Sequence, residues 1–169
     1  KTVVVSLSGG QGAGKSTLAK IFQIILSTIY KLKVVNISID DFYKTLNERK
    51  KMSKLTHPLF MTRGVPGTHD SKMLYKVIKR LKDKKFKKLT IPKFDKSKDD
   101  RLKQNFWQKI TKKPDIIIFE GWCVGAKPQN KKDLIKSINL LEKREDIKLT
   151  WRKKVNNELM INYKKIFKL

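Results

Sequence analysis

Residues 3–17, "VVVSLSGGQGAGKST", carry the pattern from which the fold can be predicted. Its first six residues are mostly β-branched and apolar and end at a glycine pair, which predicts a buried strand over 3–8. From residue 15 to residue 30, apolar side chains recur at three-and-four spacing, which predicts an amphipathic helix. Between them, residues 9–16 match G-x-x-x-x-G-K-S. A strand before this pattern and a helix after it are the context that a phosphate-binding P-loop requires.

The P-loop pattern predicts where phosphates and a metal ion would bind. Backbone N–H groups of such a loop and of the following helix N-terminus point at phosphate oxygens. Lys15 would reach the β- and γ-phosphates, and Ser16 would hold Mg²⁺. The predicted nucleotide contacts are Gly9, Gly10, Gln11, Gly12, Ala13, Gly14, Lys15, Ser16 and Thr17. We therefore expect ATP and Mg²⁺ as cofactors; the alternative, a chance glycine loop, does not account for both flanking elements.

Acidic residues stand at two further predicted strand ends. "PDIIIFEG" (114–121) carries Glu120 to the carboxyl end of a buried strand, where ligands bind in open α/β sheets, and a carboxylate there can hold Mg²⁺ through water. "VVNISIDDFYKT" (34–45) ends its apolar run at Asp40 and Asp41. Phosphoryl transfer to a hydroxyl needs a carboxylate that orients the acceptor and takes its proton. Side-chain alternation predicts that only one of the two faces the phosphates. We expect this to be Asp40, while Asp41 caps or orients the following turn.

Short apolar strands alternating with amphipathic helices predict a mostly parallel sheet with helices on both faces, a three-layer α/β fold. The remaining predicted elements are helices at 71–82, with Asp70 as N-cap, at 131–143 and at 151–167, and a short extended piece at 88–94. We expect one domain over 1–169. Because the chain begins inside a strand and ends in a helix without a cap signal, we expect a fragment at both ends, truncated at the C-terminal edge of the fold.

The chain is strongly basic, with 41 Lys and Arg against 15 Asp and Glu and a net charge of +26. Such a charge is typical of proteins that bind nucleic acid or a membrane surface. Most of these cations are lysines spread along the whole chain, however, whereas base-reading sites favour clustered Arg. We therefore interpret them as a Lys-rich surface and expect neither nucleic acid nor a membrane as partner. A single cysteine, Cys123, suits a reducing cytoplasm, which is the predicted location.

Two irregular loops carry charged residues of open purpose. "RGVPGTHD" (63–70) and "KFDKSKDDR" (93–101) each contain an Arg, Arg63 in the first and Arg101 in the second. An Arg in such a loop is suited to clamp a carboxylate or a phosphate. From the residues alone, a charged surface loop explains each of them equally well.

Taken together, the motifs resemble one group of kinases. "GGQGAGKST", "ISIDDFYKT", "RGVPGTHD", "FDKSKDDR" and "FEGWCVGAKPQ" occur in the order found in the D-glycerate 3-kinase-like group, bacterial members included, of the phosphoribulokinase/uridine kinase superfamily. The resemblance covers nearly the whole chain. It implies that Asp40 is the catalytic carboxylate beside Lys15, and that Ser16 and Glu120 hold the metal. The acceptor contacts that it implies are Tyr43, Arg63, His69, Asp95 and Arg101.

The function that this resemblance implies is ATP-dependent phosphorylation of a hydroxyl on D-glycerate or a similar hydroxy acid. The expected partner is a small acceptor bearing a carboxylate, paired with Arg63 or Arg101. Two alternatives stay open from the sequence. The acceptor could instead be a nucleoside or a sugar, or the chain could be a non-catalytic, basic module that binds nucleotide or nucleic acid.

Overall fold

A computed structural model describes all residues from Lys1 to Leu169. The strands are β1 (Val3–Ser8), β2 (Val34–Ser38), β3 (Leu89–Ile91), β4 (Phe94–Asp95), β5 (Asp100–Arg101), β6 (Gln108–Ile110) and β7 (Ile116–Gly121). The helices are α1 (Lys15–Thr28), α2 (Leu46–Leu55), α3 (Ser71–Lys82), α4 (Leu140–Glu145), α5 (Thr150–Glu158) and α6 (Lys164–Phe167). None of these helices has the length and hydropathy that a membrane span requires.

The central sheet has the order β1–β7–β2, with both neighbours parallel to β7. These are the three apolar strands predicted from sequence. Their parallel alignment brings Ser8, Ser38 and Glu120 to the same edge of the sheet, where Ser38 stands in register with Glu120 and Ser8 with Gly121. Two small antiparallel ladders, β3 with β6 and β4 with β5, lie outside this sheet.

Helices cover both faces of the sheet, which confirms the three-layer α/β prediction. Alternate residues of each strand point to opposite faces. On one face Ile37, Ile117 and Phe119 join the main core with α3 and α6, a core that also includes Leu74, Ile78, Tyr163 and Ile166. On the other face Val34 and Ile118 pack with Ala19 of α1. The core therefore holds the strand ends rigidly beneath the loops that follow them.

The first strand and helix are less buried than their apolar patterns predict. Ala19 is the only fully buried residue of α1, and the apolar face predicted for this helix is largely exposed, as at Ile21, Phe22, Ile25 and Ile29. Val3 and Val5 of β1 are also about half exposed. These side chains are exposed because β1 is an edge strand and α1 packs mainly against β2 and β7. The prediction of a buried strand over 3–8 is correct for the strand and wrong for its burial.

The predicted helix at 131–143 is not continuous. A 3₁₀ turn covers Lys131–Leu134, and α4 begins later, with Asn139 accepting a hydrogen bond from the Glu142 amide at its N-cap. The buried guanidinium of Arg152 explains the break, because it donates both to the Glu142 carboxylate and to the Asp133 carbonyl. The prediction over 151–167 is confirmed, with a π-helical turn at Leu159–Tyr163 joining α5 to α6.

Candidate active site

A cavity of about 850 Å³ opens at the carboxyl edge of the central sheet. It is lined by the P-loop, the ends of β2 and β7, the segment 61–63 and the turn between β4 and β5. Six of the nine predicted nucleotide contacts line this cavity: Gln11, Gly12, Gly14, Lys15, Ser16 and Thr17. The other three, Gly9, Gly10 and Ala13, do not. The structure therefore brings the glycine loop and the strand-end acids to one site.

The P-loop has the backbone shape that a phosphate cradle needs. Gly12 and Gly14 adopt φ of 78° and 74°, in the left-handed region that glycine enters without steric cost. Gly14 is also the N-cap of α1, so the unpaired N–H groups of the first helical turn face the cavity. Lys15 Nζ donates to the Gly10 carbonyl at 2.5 Å. The Lys15 ammonium is thus held over the loop, where phosphate oxygens would bind.

Two oxygen ligands for a hard cation meet beside the P-loop. Ser16 Oγ donates to Glu120 Oε1 at 3.0 Å, and the Glu120 side chain is buried at the end of β7. A hydroxyl and a carboxylate suit Mg²⁺, which keeps most of its ligands as water and phosphate oxygens. No cluster of three or more His, Cys, Asp or Glu side chains occurs in the chain. The residues present therefore fit a magnesium ion that is shared with phosphates.

Asp40 faces the cavity from a 3₁₀ turn, Ile39–Phe42, that directly follows β2. Both of its carboxylate oxygens are engaged. Oδ1 accepts from the Tyr43 hydroxyl at 3.0 Å, and Oδ2 accepts from Lys96 Nζ at 2.7 Å. Burial raises the pKa of Tyr43, with a further contribution from the Asp40 charge, so its phenol remains a neutral donor. Asp40 is thus oriented by a fixed phenol and paired with a cation.

Asp41 points away from the cavity and has a different task. Its Oδ2 accepts from Lys93 Nζ at 2.7 Å and its Oδ1 from the Phe94 amide at 3.3 Å, which ties the turn after β2 to β4. The expectation that only one of the two acids faces the phosphates agrees with this arrangement. Asp41 therefore orients this turn and does not cap the following helix, because Thr45 caps α2 through a capping box with Glu48.

Arg63 brings a second cation to the acceptor side of the cavity. Its guanidinium pairs with Asp99, which also accepts from the fully buried Arg49 at 3.0 Å. Burial alone would raise the pKa of Asp99, but the hydrogen bonds from Arg63 and Arg49 outweigh it and lower the pKa. Arg63 also lies 5.6 Å above the Phe94 ring. Its position is therefore fixed by the Asp99 carboxylate and the Phe94 ring.

Three predicted acceptor contacts do not line the cavity. His69 is 1% exposed; its ring stacks on Tyr43 and its Nδ1 lies 2.5 Å from the Tyr163 hydroxyl. Asp95 accepts from the Ser97 amide and hydroxyl and so shapes its own turn. Arg101 donates to the Tyr43 carbonyl at 2.8 Å. These side chains support the residues that line the cavity instead of reaching into it.

Three side chains that line the cavity were not among the predicted site residues: Lys96, Asp99 and Trp122. The Trp122 indole donates to the Gly64 carbonyl at 2.9 Å and so joins the end of β7 to the segment 63–70. Lys96 and Asp99 lie in "FDKSKDDR", beside residues that the sequence analysis chose. Only the fold shows which members of that charged loop turn inward.

Comparisons with known proteins agree with this arrangement. The model of the phosphoribulokinase/uridine kinase family matches residues 4–155. "Uncharacterized kinase mug58" of Schizosaccharomyces pombe is 39% identical over 132 residues, which is 74% of this chain and 47% of that protein. The chloroplastic D-glycerate 3-kinase of Arabidopsis thaliana is 31% identical over 145 residues, 81% of this chain and 31% of the relative. A pantothenate kinase of Lactococcus lactis is also 31% identical, over 76% of this chain and 39% of its own.

The structures agree as well. A D-glycerate 3-kinase from Cryptococcus neoformans superposes with a TM-score of 0.73 at 29% identity, covering 94% of this chain and 58% of the other. This chain spans about half the length of the first curated relative and less of the others. The matched relatives are kinases named for different acceptors, so they support a phosphotransferase without fixing its acceptor. Because the family model matches most of its length, this chain belongs to the phosphoribulokinase/uridine kinase family.

Proposed function

We propose that this chain transfers the γ-phosphoryl group of ATP to a hydroxyl of D-glycerate or a similar hydroxy acid. The observation that carries the proposal is the content of one cavity: the P-loop Lys15, the carboxylate Asp40 and two further cations, Arg63 and Lys96. A carboxylate beside a phosphate cradle serves a hydroxyl acceptor, and cations on the acceptor side favour an acceptor with a negative charge.

In the proposed reaction the acceptor oxygen attacks the γ-phosphorus and its proton passes to Asp40. The bond from the γ-phosphorus to the β–γ bridging oxygen breaks, and ADP leaves. Lys15 stabilises the charge on the phosphoryl oxygens during transfer. Mg²⁺, held by Ser16 and Glu120, would neutralise charge on the β- and γ-phosphates. Tyr43 keeps Asp40 oriented through its hydroxyl.

Arg63 is the preferred partner for the acceptor carboxylate among the two arginines considered from sequence. It lines the cavity, whereas Arg101 is engaged with the Tyr43 carbonyl and lies 3.6 Å from the Asp70 carboxylate. The similarity to two D-glycerate 3-kinases supports glycerate as the first acceptor to test.

The similarity to a pantothenate kinase favours a second candidate acceptor. Pantothenate is also a hydroxylated carboxylate, so the same cations and the same Asp40 would suit it. Arg63 and Lys96 would therefore separate anionic from neutral acceptors better than they separate one hydroxy acid from another.

An acceptor screen by ADP release tests the proposal. D-glycerate, pantothenate, glycerol and uridine are each added to protein with ATP and Mg²⁺. We expect D-glycerate to stimulate ADP release most. Faster turnover with uridine or glycerol would contradict the hydroxy-acid assignment. The absence of stimulation by any acceptor, together with salt-sensitive RNA binding at physiological ionic strength, would support a non-catalytic nucleic-acid module instead.

A cytoplasmic location is part of the same proposal. It rests on the single Cys123, which is buried and unpaired, and whose pKa burial raises to about 12. A buried thiol of this kind has no partner for a disulfide within the chain and remains unreactive.

A further inference from the structure

We infer that Lys96 selects acceptors with an anionic group: it pairs with Asp40 in the structure and exchanges Asp40 for that anion when an acceptor binds. The inference rests on the proposed function and concerns a side chain that neither the motif analysis nor the comparisons single out. It adds a reason why Asp40 would act on an anionic hydroxyl compound and not on water.

The first step is the state of Asp40 in the structure. Lys96 Nζ lies 2.7 Å from Oδ2, while the Tyr43 hydroxyl occupies Oδ1. A carboxylate oxygen that already accepts from an ammonium offers no free lone pair in that direction to a hydroxyl proton. Tyr43 is held on Oδ1 by its stacking on His69, so movement of Lys96 is what opens a further lone pair of Oδ2 to the acceptor hydroxyl.

Among the cations that line the cavity, Lys96 has the side chain that is most free to move. Its side chain is 62% exposed, and the carboxylate that it pairs with is 29% exposed. Exposed ion pairs contribute little net stability, so an incoming anion can replace one partner. Arg63, by contrast, is held by Asp99 and by the Phe94 ring, and Lys15 lies over the P-loop.

The backbone of Lys96 is held in place by hydrogen bonds of the turn, although its side chain is mostly exposed to solvent. Asp95 accepts from the Ser97 amide at 2.9 Å, which closes the turn around Lys96. Arg63 donates to the Lys96 carbonyl at 3.5 Å, and Asp99 anchors the far side of the same turn to Arg49. The Lys96 side chain can therefore rotate while its backbone stays fixed, and its ammonium can move between Asp40 and an anion bound near Arg63.

This exchange makes the protein prefer anionic acceptors over neutral ones. An acceptor with a carboxylate or phosphate draws Lys96 away and frees Asp40 at the moment when the hydroxyl is in place. A neutral polyol or water leaves the Lys96–Asp40 pair intact. Lys96 thus couples recognition of the anion to release of the base.

Lys96→Met tests this inference, because methionine is unbranched and of similar length but carries no charge. Lys98→Met is the matched control, since Lys98 is an exposed lysine of the same turn that does not line the cavity. The readouts are kcat and KM for D-glycerate and for glycerol, D-glycerate binding by calorimetry without nucleotide, and ADP release without acceptor. Melting temperatures confirm that all variants are folded.

We expect Lys96→Met to raise KM and Kd for D-glycerate about tenfold or more, as the loss of one charge-assisted contact predicts. The preference for D-glycerate over glycerol should fall by a similar factor, and ADP release without acceptor should rise several-fold. Lys96→Arg should retain the preference, because it keeps the cation. Lys98→Met should match the unsubstituted protein in every readout.

An unchanged preference and an unchanged Kd in Lys96→Met would overturn the inference. So would an equal loss of kcat on both acceptors at unchanged KM, because that result places Lys96 in the transfer step itself. If the unsubstituted protein phosphorylates no hydroxy acid, the proposed function fails separately. The inference is then decided by acceptor-free ADP release, and equal rates in Lys96→Met and Lys98→Met would refute it.

Discussion

At the scale of single residues, Asp40 and Asp41 are adjacent in sequence and differ in surroundings. Asp40 faces the P-loop across the cavity, while Asp41 is occupied by Lys93 and the Phe94 amide. Burial raises the pKa of Asp41, although Lys93 partly offsets this effect. The 3₁₀ turn after β2 separates the two side chains, so that one is available for chemistry and the other holds β4 in place.

Asp40→Asn is predicted to lower kcat by about 10²–10⁴-fold, the usual contribution of a general base, because an amide cannot accept the hydroxyl proton. ATP binding, measured by calorimetry, should stay nearly unchanged, since Asp40 lies on the acceptor side. Asp41→Asn is the control: it should keep most of kcat and lower the melting temperature. A larger loss of kcat in Asp41→Asn would refute the assignment of the base.

His69 is predicted to make stability depend on pH. Burial lowers its pKa from 6.5 to about 3; the Asp40 charge opposes this shift and the Lys44 charge adds to it. Its other neighbours, Tyr43 and Tyr163, are neutral. Between these two pH values the unfolded chain binds a proton that the folded chain does not. The stability that neutral His69 supplies is therefore present above pH 6.5 and is lost as the pH falls towards 3.

Urea unfolding of the unsubstituted protein and of His69→Gln over this range checks the prediction. The free energy of unfolding of the unsubstituted protein should fall more steeply with decreasing pH, by at most about 1.4 kcal/mol per pH unit more than that of the variant. Parallel curves for the two proteins would show that His69 titrates alike in the folded and unfolded states.

At the scale of elements, the end of β7 depends on a glycine, Gly121, for close packing. A Cβ added at Gly121 would overlap the fully buried Ile39 side chain and come within 3.1 Å of Val124 Cγ2. Glycine at this position lets the turn after β2, which carries Asp40, lie directly against the strand that carries Glu120. The two acidic strand ends are close because no side chain separates them.

Gly121→Ala is predicted to lower the free energy of unfolding by about 1–3 kcal/mol, the usual cost of overpacking a core. Gly10→Ala is the comparison, because a Cβ at Gly10 meets no atom within 4 Å. Chemical denaturation of both variants measures the difference. Equal stability of the two would mean that Ile39 can move aside without cost.

At the scale of the whole molecule, the apolar surface is distributed unevenly. The face of the sheet toward α3 and α6 is covered, whereas β1 and α1 leave large apolar side chains in contact with solvent. Hydrophobic stabilisation follows the area removed from water, so equal side chains should contribute unequally in these two places.

Ile21→Ala and Ile78→Ala test this difference with one substitution in two helices. Ile21 in α1 is 46% exposed, and Ile78 in α3 is 1% exposed. We expect a loss of about 1 kcal/mol or less for Ile21→Ala and about 2–5 kcal/mol for Ile78→Ala. Thermal or urea unfolding gives both values. A loss at Ile21 as large as that at Ile78 would mean that the outer face of α1 is covered in solution.

The elements with a local signal in the sequence were predictable before the fold was known. Three local patterns were sufficient to predict a three-layer α/β fold: the apolar runs of β1, β2 and β7, the P-loop glycines, and the three-and-four spacing of apolar residues in α1 and α3. They were also sufficient to predict that Lys15, Ser16, Asp40 and Glu120 lie at one edge, because parallel strands present their carboxyl ends together.

The remaining features became visible in the folded protein alone, because burial and side-chain direction depend on residues distant in sequence. His69, Asp95 and Arg101 share loops with residues that line the cavity, but stacking, a local turn and a backbone carbonyl hold them outside it. Lys96 was indistinguishable from other lysines until the β4–β5 turn placed it on Asp40. The helix predicted over 131–143 was likewise interrupted by Arg152, whose hydrogen bonds outweigh local helical propensity.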